Sequence, residues 1–158
     1  GFADETIVVG PGINAKMNEF QAALGLLQLK YIDEQIEKRR RISELYENEL
    51  SSVRGIRLLK RKANVRTNFQ YFPVFIDEKT FGKSRDDLYN ELRKHNVYVR
   101  RYFYPLISQF PTYRGLPSAS PGNLPVAERI TKEVLCLPMY SDLKDEDVEF
   151  ACDIIKTY

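Results

Sequence analysis

The sequence predicts a mixed α/β fold: a long N-terminal helical arm leading into a small, mostly antiparallel sheet with helices on one face. Three observations carry that reading. The chain has 158 residues, enough for one domain or for one domain with an arm attached. Residues 17–50 are helical in composition almost throughout, with Gly25 the one weak point. Beyond them the pattern runs strand, strand, helix, strand, loop, helix, short strand, helix, with no internal repeat.

Taken in order, Ile7, Val8 and Val9 form a short strand candidate, broken by Gly10, Pro11 and Gly12. Asn18 is placed to cap the helix that follows, with Gln21 as its reciprocal partner. Phe20, Ala23, Leu24, Leu27 and Tyr31 recur at helical spacing, and Ile32 and Ile36 continue the apolar stripe. The charged run from Lys38 to Arg41 interrupts it, and Ile42, Leu45, Tyr46 and Leu50 resume it on a shifted face. This pattern predicts two helices or one bent helix, the second part the more exposed.

Residues 55–59 are the next strand candidate, and residues 69–76, rich in aromatic and β-branched side chains, are the strongest in the chain. Pro73 within that run points to a sheet edge or a bulge, because proline has no N–H to give to a ladder. Ser84 caps a short helix with Asp87 as partner, Leu88 and Leu92 face the core, and Asn96 stops it. Residues 97–101 then read as a strand, 104–122 as a loop, 123–134 as a helix and 135–137 as a short buried strand. Residues 145–156 form a last helix whose acidic start suits the positive end of its dipole. The expected division is an arm over residues 1–50 and a small α/β domain over residues 51–158.

Composition bounds the function. Hydrophobic residues make up 43% and charged residues 29%, the balance of a folded chain rather than a disordered one. Lys and Arg number 24 against 22 Asp and Glu, so the net charge of +2 supplies no general field to draw nucleic acid or an anionic membrane. Cys136 and Cys152 form no CxxC pair and sit among apolar neighbours, as buried free thiols do. His95 is the single histidine, too few for a zinc site with two distant cysteines, and it reads as a helix-end residue. No apolar run approaches the ~20 residues that span a bilayer and no signal-peptide pattern opens the chain, so a cytoplasmic place is expected. The chain opens on Gly1 within a loop, as a trimmed chain would.

Two segments hold chemistry. In residues 10–29 a glycine-rich turn carries Asn14 and Lys16 and opens onto the capped helix, where free N–H groups, an amide and a cation suit an anionic group. Taken alone, that is ordinary turn chemistry. In residues 100–108, RRYFYPLIS, a strand end presents Tyr102, Phe103 and Tyr104, whose rings and hydroxyls suit a sugar or a base and would equally cover a core.

Together these segments resemble the DegT/StrS family of sugar aminotransferases. GINAKMNEFQAALGLLQLKYID is similar to the signature that follows the cofactor lysine there, and RRYFYPLIS, LPSA, VLCLPMY and the closing LKDEDVEFACDII follow in that family's order. The resemblance implies the small domain of a fold-type-I aminotransferase, with residues 1–50 as the arm from a larger upstream domain. It implies pyridoxal 5'-phosphate as cofactor, glutamate as amino donor, a nucleotide-linked keto sugar as substrate, and a homodimer with shared active sites. Asn14 matches the asparagine that reaches the cofactor phosphate of the partner subunit, and Lys16 the neighbouring basic position. Tyr102, Phe103 and Tyr104 match the segment bordering the sugar pocket. Where many relatives carry a histidine, Ile107 and Ser108 stand here, as in the subgroup acting on deoxy-keto hexoses. The lysine that carries the amino group, and the carboxylate on the pyridine nitrogen, belong to the upstream domain, so no catalytic residue is expected in this chain. The alternative is a transaminase-like regulator or sensor without catalysis.

Overall fold

In the computed structural model, which describes residues 15–158, the chain forms two compact units, Gly1–Glu34 and Gln35–Tyr158. Among its described residues the first holds α1 (Glu19–Leu29). Its capping box forms as expected: the Gln21 N–H donates to Asn18 Oδ1 at 2.9 Å, and the Asn18 N–H donates to Gln21 Oε1 at 3.1 Å. Helix α2 (Ile32–Leu50) follows after a break at Lys30 and Tyr31, not at the charged run of residues 38–41. That run stays helical because its charges are answered: Arg40 pairs with Glu37 and with Glu44 at 2.6 Å, and Arg41 with Asp145 at 2.7 Å.

The expected order of exposure is reversed. Helix α1 buries none of its side chains, although Phe20, Leu24 and Leu27 form the stripe that periodicity marks out. The end of α2 instead buries Ile42, Tyr46 and Leu50, four residues apart on one face.

The second unit holds a three-stranded antiparallel sheet in the order β1 (Ile56–Leu58), β2 (Phe72–Ile76), β3 (Val134–Leu137). Strand β2 is central, so Pro73 lies neither on an edge strand nor, with its regular register to Cys136, in a bulge. The register explains the tolerance. Cys136 spends its N–H and C=O on Arg100, at 2.8 and 3.0 Å, so its pair with Pro73 is a non-hydrogen-bonded one. The Pro73 nitrogen therefore points to the β1 side, where β1 has already ended at Leu58 opposite Val74. No ladder bond is lost. The expected strand over residues 97–101 reduces to that single bridge between Arg100 and Cys136. The run beginning at residue 69 is shortened because Phe69 turns left-handed at φ 51°, and Asn68 Oδ1 accepts the Gln70 N–H at 3.1 Å.

Alternation along the strands puts Phe72, Val74, Ile76, Leu135 and Leu137 on one face. Three helices pack there: α2, α4 (Arg85–Lys94) through Leu88 and Leu92, and α6 (Asp145–Thr157) through Val148, Cys152 and Ile155. On the other face, Phe75 is covered by the Arg57 guanidinium at 4.1 Å. The short helix α3 (Glu78–Phe81), which periodicity did not mark, links β2 to α4, and α5 (Pro125–Glu133) runs into β3. Both cysteines are buried, and burial pushes their thiols up to about 11 for Cys136 and about 12 for Cys152, which leaves them unreactive near neutrality. Among the described residues no helix is long and apolar enough to cross a membrane.

The start of α4 yields a pH-dependent prediction. Ser84 donates from Oγ and from its N–H to Asp87 Oδ2, at 2.7 and 3.1 Å, and these bonds hold the Asp87 carboxyl below its ordinary value. A carboxylate depressed by folding stabilises the protein above its unfolded value of about 4, and that contribution fades as pH falls through the folded value. Ser84→Ala, which also removes the cap on the Asp87 N–H, is expected to lower stability at pH 7 by about 1 kcal/mol. Urea unfolding of both proteins at pH 7 and pH 2.5 checks it. A gap that fails to narrow in acid would refute the account.

Candidate functional site

The bridge between Arg100 and Cys136 pins the chain beside β3, and directly after it the backbone leaves the sheet. Tyr102, Phe103 and Tyr104 therefore stand together at the end of an extended segment, outside the core. Phe103 is 64% exposed and Tyr104 48%. The peptide bonds Tyr102–Phe103 and Tyr104–Pro105 are cis. The Tyr102 and Phe103 rings stack with centroids 4.0 Å apart. Buried Thr131, on α5, donates its hydroxyl to the Phe103 carbonyl and ties the segment down.

Three residues that sequence reasoning missed complete the arrangement: Tyr71, Thr131 and Arg85. The Tyr71 hydroxyl lies 3.0 Å from that of Tyr102, and this bond is the chief cause that raises the Tyr102 phenol above its ordinary value. Arg85 is buried under the site, its guanidinium 5.0 Å from the Tyr104 ring centroid. Its Nη1 donates to the Val134 carbonyl at 3.2 Å. Its Nε lies 2.9 Å from Asp86 Oδ1 but out of line for a hydrogen bond, so charge rather than alignment holds that pair. Arg101 Nη1 donates to the same carboxylate oxygen at 3.0 Å, with its guanidinium 5.2 Å from Tyr104. One carboxylate thus stands between two guanidiniums, and burial pulls Arg85 below its ordinary value. Beside Tyr102 and Tyr104 opens a cavity of about 410 Å³.

These groups offer ring faces, hydroxyls and cations. They suit binding and orientation, and none is an amine that could attack a carbonyl. Asn14 lies outside the described residues, and Lys16 is an exposed side chain of the first unit, ahead of the α1 cap. A pyridine cofactor needs an amine, a carboxylate and phosphate donors. The exposed ammonium of Lys16 fits the last of these roles, and the described residues show no built set for the other two. No metal-binding group of His, Cys, Asp and Glu occurs among the described residues.

A fold of this kind is shared with solved aminotransferase structures. Residues 2–156 match the DegT/DnrJ/EryC1/StrS aminotransferase family, and the chain belongs to it. It is 51% identical to the dTDP-4-amino-4,6-dideoxy-D-glucose transaminase of Escherichia coli, over 94% of this chain and 40% of that protein. To the Shigella dysenteriae protein of the same name it is 36% identical, over 99% of this chain and 42% of the relative. Among solved structures it resembles DesI determined with its TDP-sugar product, at 34% identity and a TM-score of 0.81, over 92% of this chain and 36% of that one. The chain spans about 40% of the length of the curated relatives it matches.

Proposed function

We propose that this chain is the C-terminal part of an aminotransferase that uses pyridoxal 5'-phosphate to move an amino group, from glutamate, onto a nucleotide-linked keto-deoxysugar. Identity of 51% along nearly the whole chain to a transaminase named for a dTDP-linked aminosugar carries this reading. The cofactor, when bound, supplies the electron sink for the transfer. The chain's own residues bind and orient. Residues 1–50 act as the arm from the larger domain, with Asn14 and Lys16 directed at the cofactor phosphate of a partner subunit in a homodimer. Tyr102, Phe103 and Tyr104 border the sugar, and the Tyr71 hydroxyl holds Tyr102 in orientation. The lysine that carries the amino group lies outside this chain, so the chain alone is inactive.

The test uses the parent protein that includes the upstream region, purified with the cofactor. It should absorb near the visible edge, transfer nitrogen from glutamate to a dTDP-linked keto sugar, and hold the cofactor more weakly by about tenfold or more after Asn14→Ala, the loss of one charge-assisted hydrogen bond. Absence of the absorption band would end the proposal.

A further inference from the structure

Helix α4 opens against the electrostatic rule for helix ends. Its first residue is Arg85, a cation at the positive end of the dipole, where an acid is favoured. The Arg85 side chain is only 2% exposed, with Nη1 bonded to the Val134 carbonyl and Nε facing Asp86 out of line. A buried cation so incompletely satisfied costs stability that an apolar side chain of similar size would not. Breaches of this kind collect where a site needs a group held in place. Here the group is Tyr104. The guanidiniums of Arg85 and Arg101, joined through Asp86, both lie over the Tyr104 ring. The Tyr104 hydroxyl meets no hydrogen-bond partner among the described residues. The ring is thus gripped by its face while its polar end stays free.

We propose that Arg85, Asp86 and Arg101 form a positioning unit that fixes the Tyr104 ring and so aims its free hydroxyl at the sugar, an assignment that rests on the aminotransferase reading above. Both cations are referenced to the same strand. Arg85 is anchored on Val134, the first residue of β3, and Arg101 directly follows the bridge of Arg100 to Cys136 on that strand. A half-exposed phenol with no hydrogen bond would otherwise turn about its side-chain torsions, and two linked cations over its face restrict that freedom. A reacting partner displaced by about 1 Å can slow a reaction about 100-fold, so the angle of the ring has chemical weight. Neither Arg85 nor Asp86 lines the cavity beside Tyr104, so their influence there passes through the ring. Fastening α4 to the sheet would need only the Arg85 bond to Val134. It would need neither Arg101 nor the placement of both guanidiniums over one tyrosine.

The parent enzyme, loaded with the cofactor, tests this with Asp86→Asn, Tyr104→Phe and the two combined. Asp86→Asn keeps the size of the side chain and loses its charge. It should lower kcat/KM for the dTDP-linked keto sugar by about tenfold. The half-reaction with glutamate, followed through the cofactor band, should change by less than about twofold. Tyr104→Phe keeps the ring and lacks the hydroxyl, so in that background Asp86→Asn should cost less than about twofold more. Arg101→Gln leaves the Arg85–Asp86 pair in place and should behave as Asp86→Asn does. It decides the matter if Asp86→Asn fails to fold. Equal losses with and without the Tyr104 hydroxyl would overturn the proposal. So would full activity of Tyr104→Phe, no loss from Arg101→Gln, or a loss as large with glutamate as with the sugar. Those results leave the aminotransferase reading standing, since a missing cofactor band is what ends that.

Discussion

Tyr46→Ala is expected to remove about 3–5 kcal/mol of stability, the range for deleting a large buried aromatic side chain. Tyr46 is fully buried, and its ring stacks on Phe72 with centroids 4.8 Å apart. Its hydroxyl donates to the Pro138 carbonyl at 3.1 Å, just past the end of β3. One side chain of α2 therefore joins the helix to the central strand and to the exit of the next. Truncation leaves a cavity between them and a carbonyl without its donor, and the two effects add. Tyr46→Phe separates them: it keeps the ring and should cost only about 1–2 kcal/mol for the orphaned carbonyl. Burial drives the Tyr46 phenol far above its ordinary value, so it remains a neutral donor at every working pH. Urea midpoints of the three proteins decide the matter, and a loss below about 1 kcal/mol for Tyr46→Ala would show that α2 is not fastened here. The consequence reaches the site. Phe72 follows Tyr71, whose hydroxyl meets that of Tyr102, so releasing Phe72 also loosens the edge of the proposed sugar pocket.

What could be read from the sequence was local. The capping boxes at Asn18–Gln21 and Ser84–Asp87 lie within one helical turn, and both form. The Leu88 and Leu92 stripe and the acidic start of α6 are equally local, and both hold. Pro73 was misread because the fault of a strand proline depends on where its neighbour ends, and that is set by the pairing of Leu58 with Val74. The α1 stripe was misread for a related reason: periodicity identifies an apolar face, but burial requires a partner, and within the described residues α1 buries nothing. In the site, Tyr102, Phe103 and Tyr104 were legible because they are contiguous. Tyr71 and Thr131 reach the same segment from 31 and 28 residues away, and no sequence pattern carries such a separation. Arg85 lies on a polar helix, and its burial depends on the distant Val134 and Tyr104, which no local pattern links to it.

The second large effect is expected at Gly55, the residue before β1. Its φ of +84° lies in the left-handed region, which by itself costs an L side chain about 1 kcal/mol. Gly82, at φ +89°, carries the same penalty, and a Cβ there would meet nothing within 4 Å. At Gly55 a Cβ would stand 2.4 Å from the Phe81 nitrogen and 2.6 Å from the Phe81 Cα. These are backbone atoms of α3, which cannot turn aside as a side-chain tip would. The Gly55 carbonyl also accepts the Asp77 N–H at 2.8 Å, so shifting the turn pulls on the end of β2. Gly82→Ala should therefore lose about 1 kcal/mol, and Gly55→Ala about 3 kcal/mol or more, because strain and overpacking combine. Thermal and urea unfolding of the two variants side by side isolates the clash from the conformational penalty they share. If both lost the same amount, the close approach of Gly55 to α3 would have no energetic weight, and the strand pair that carries Tyr71 would owe its register to the hydrophobic face alone.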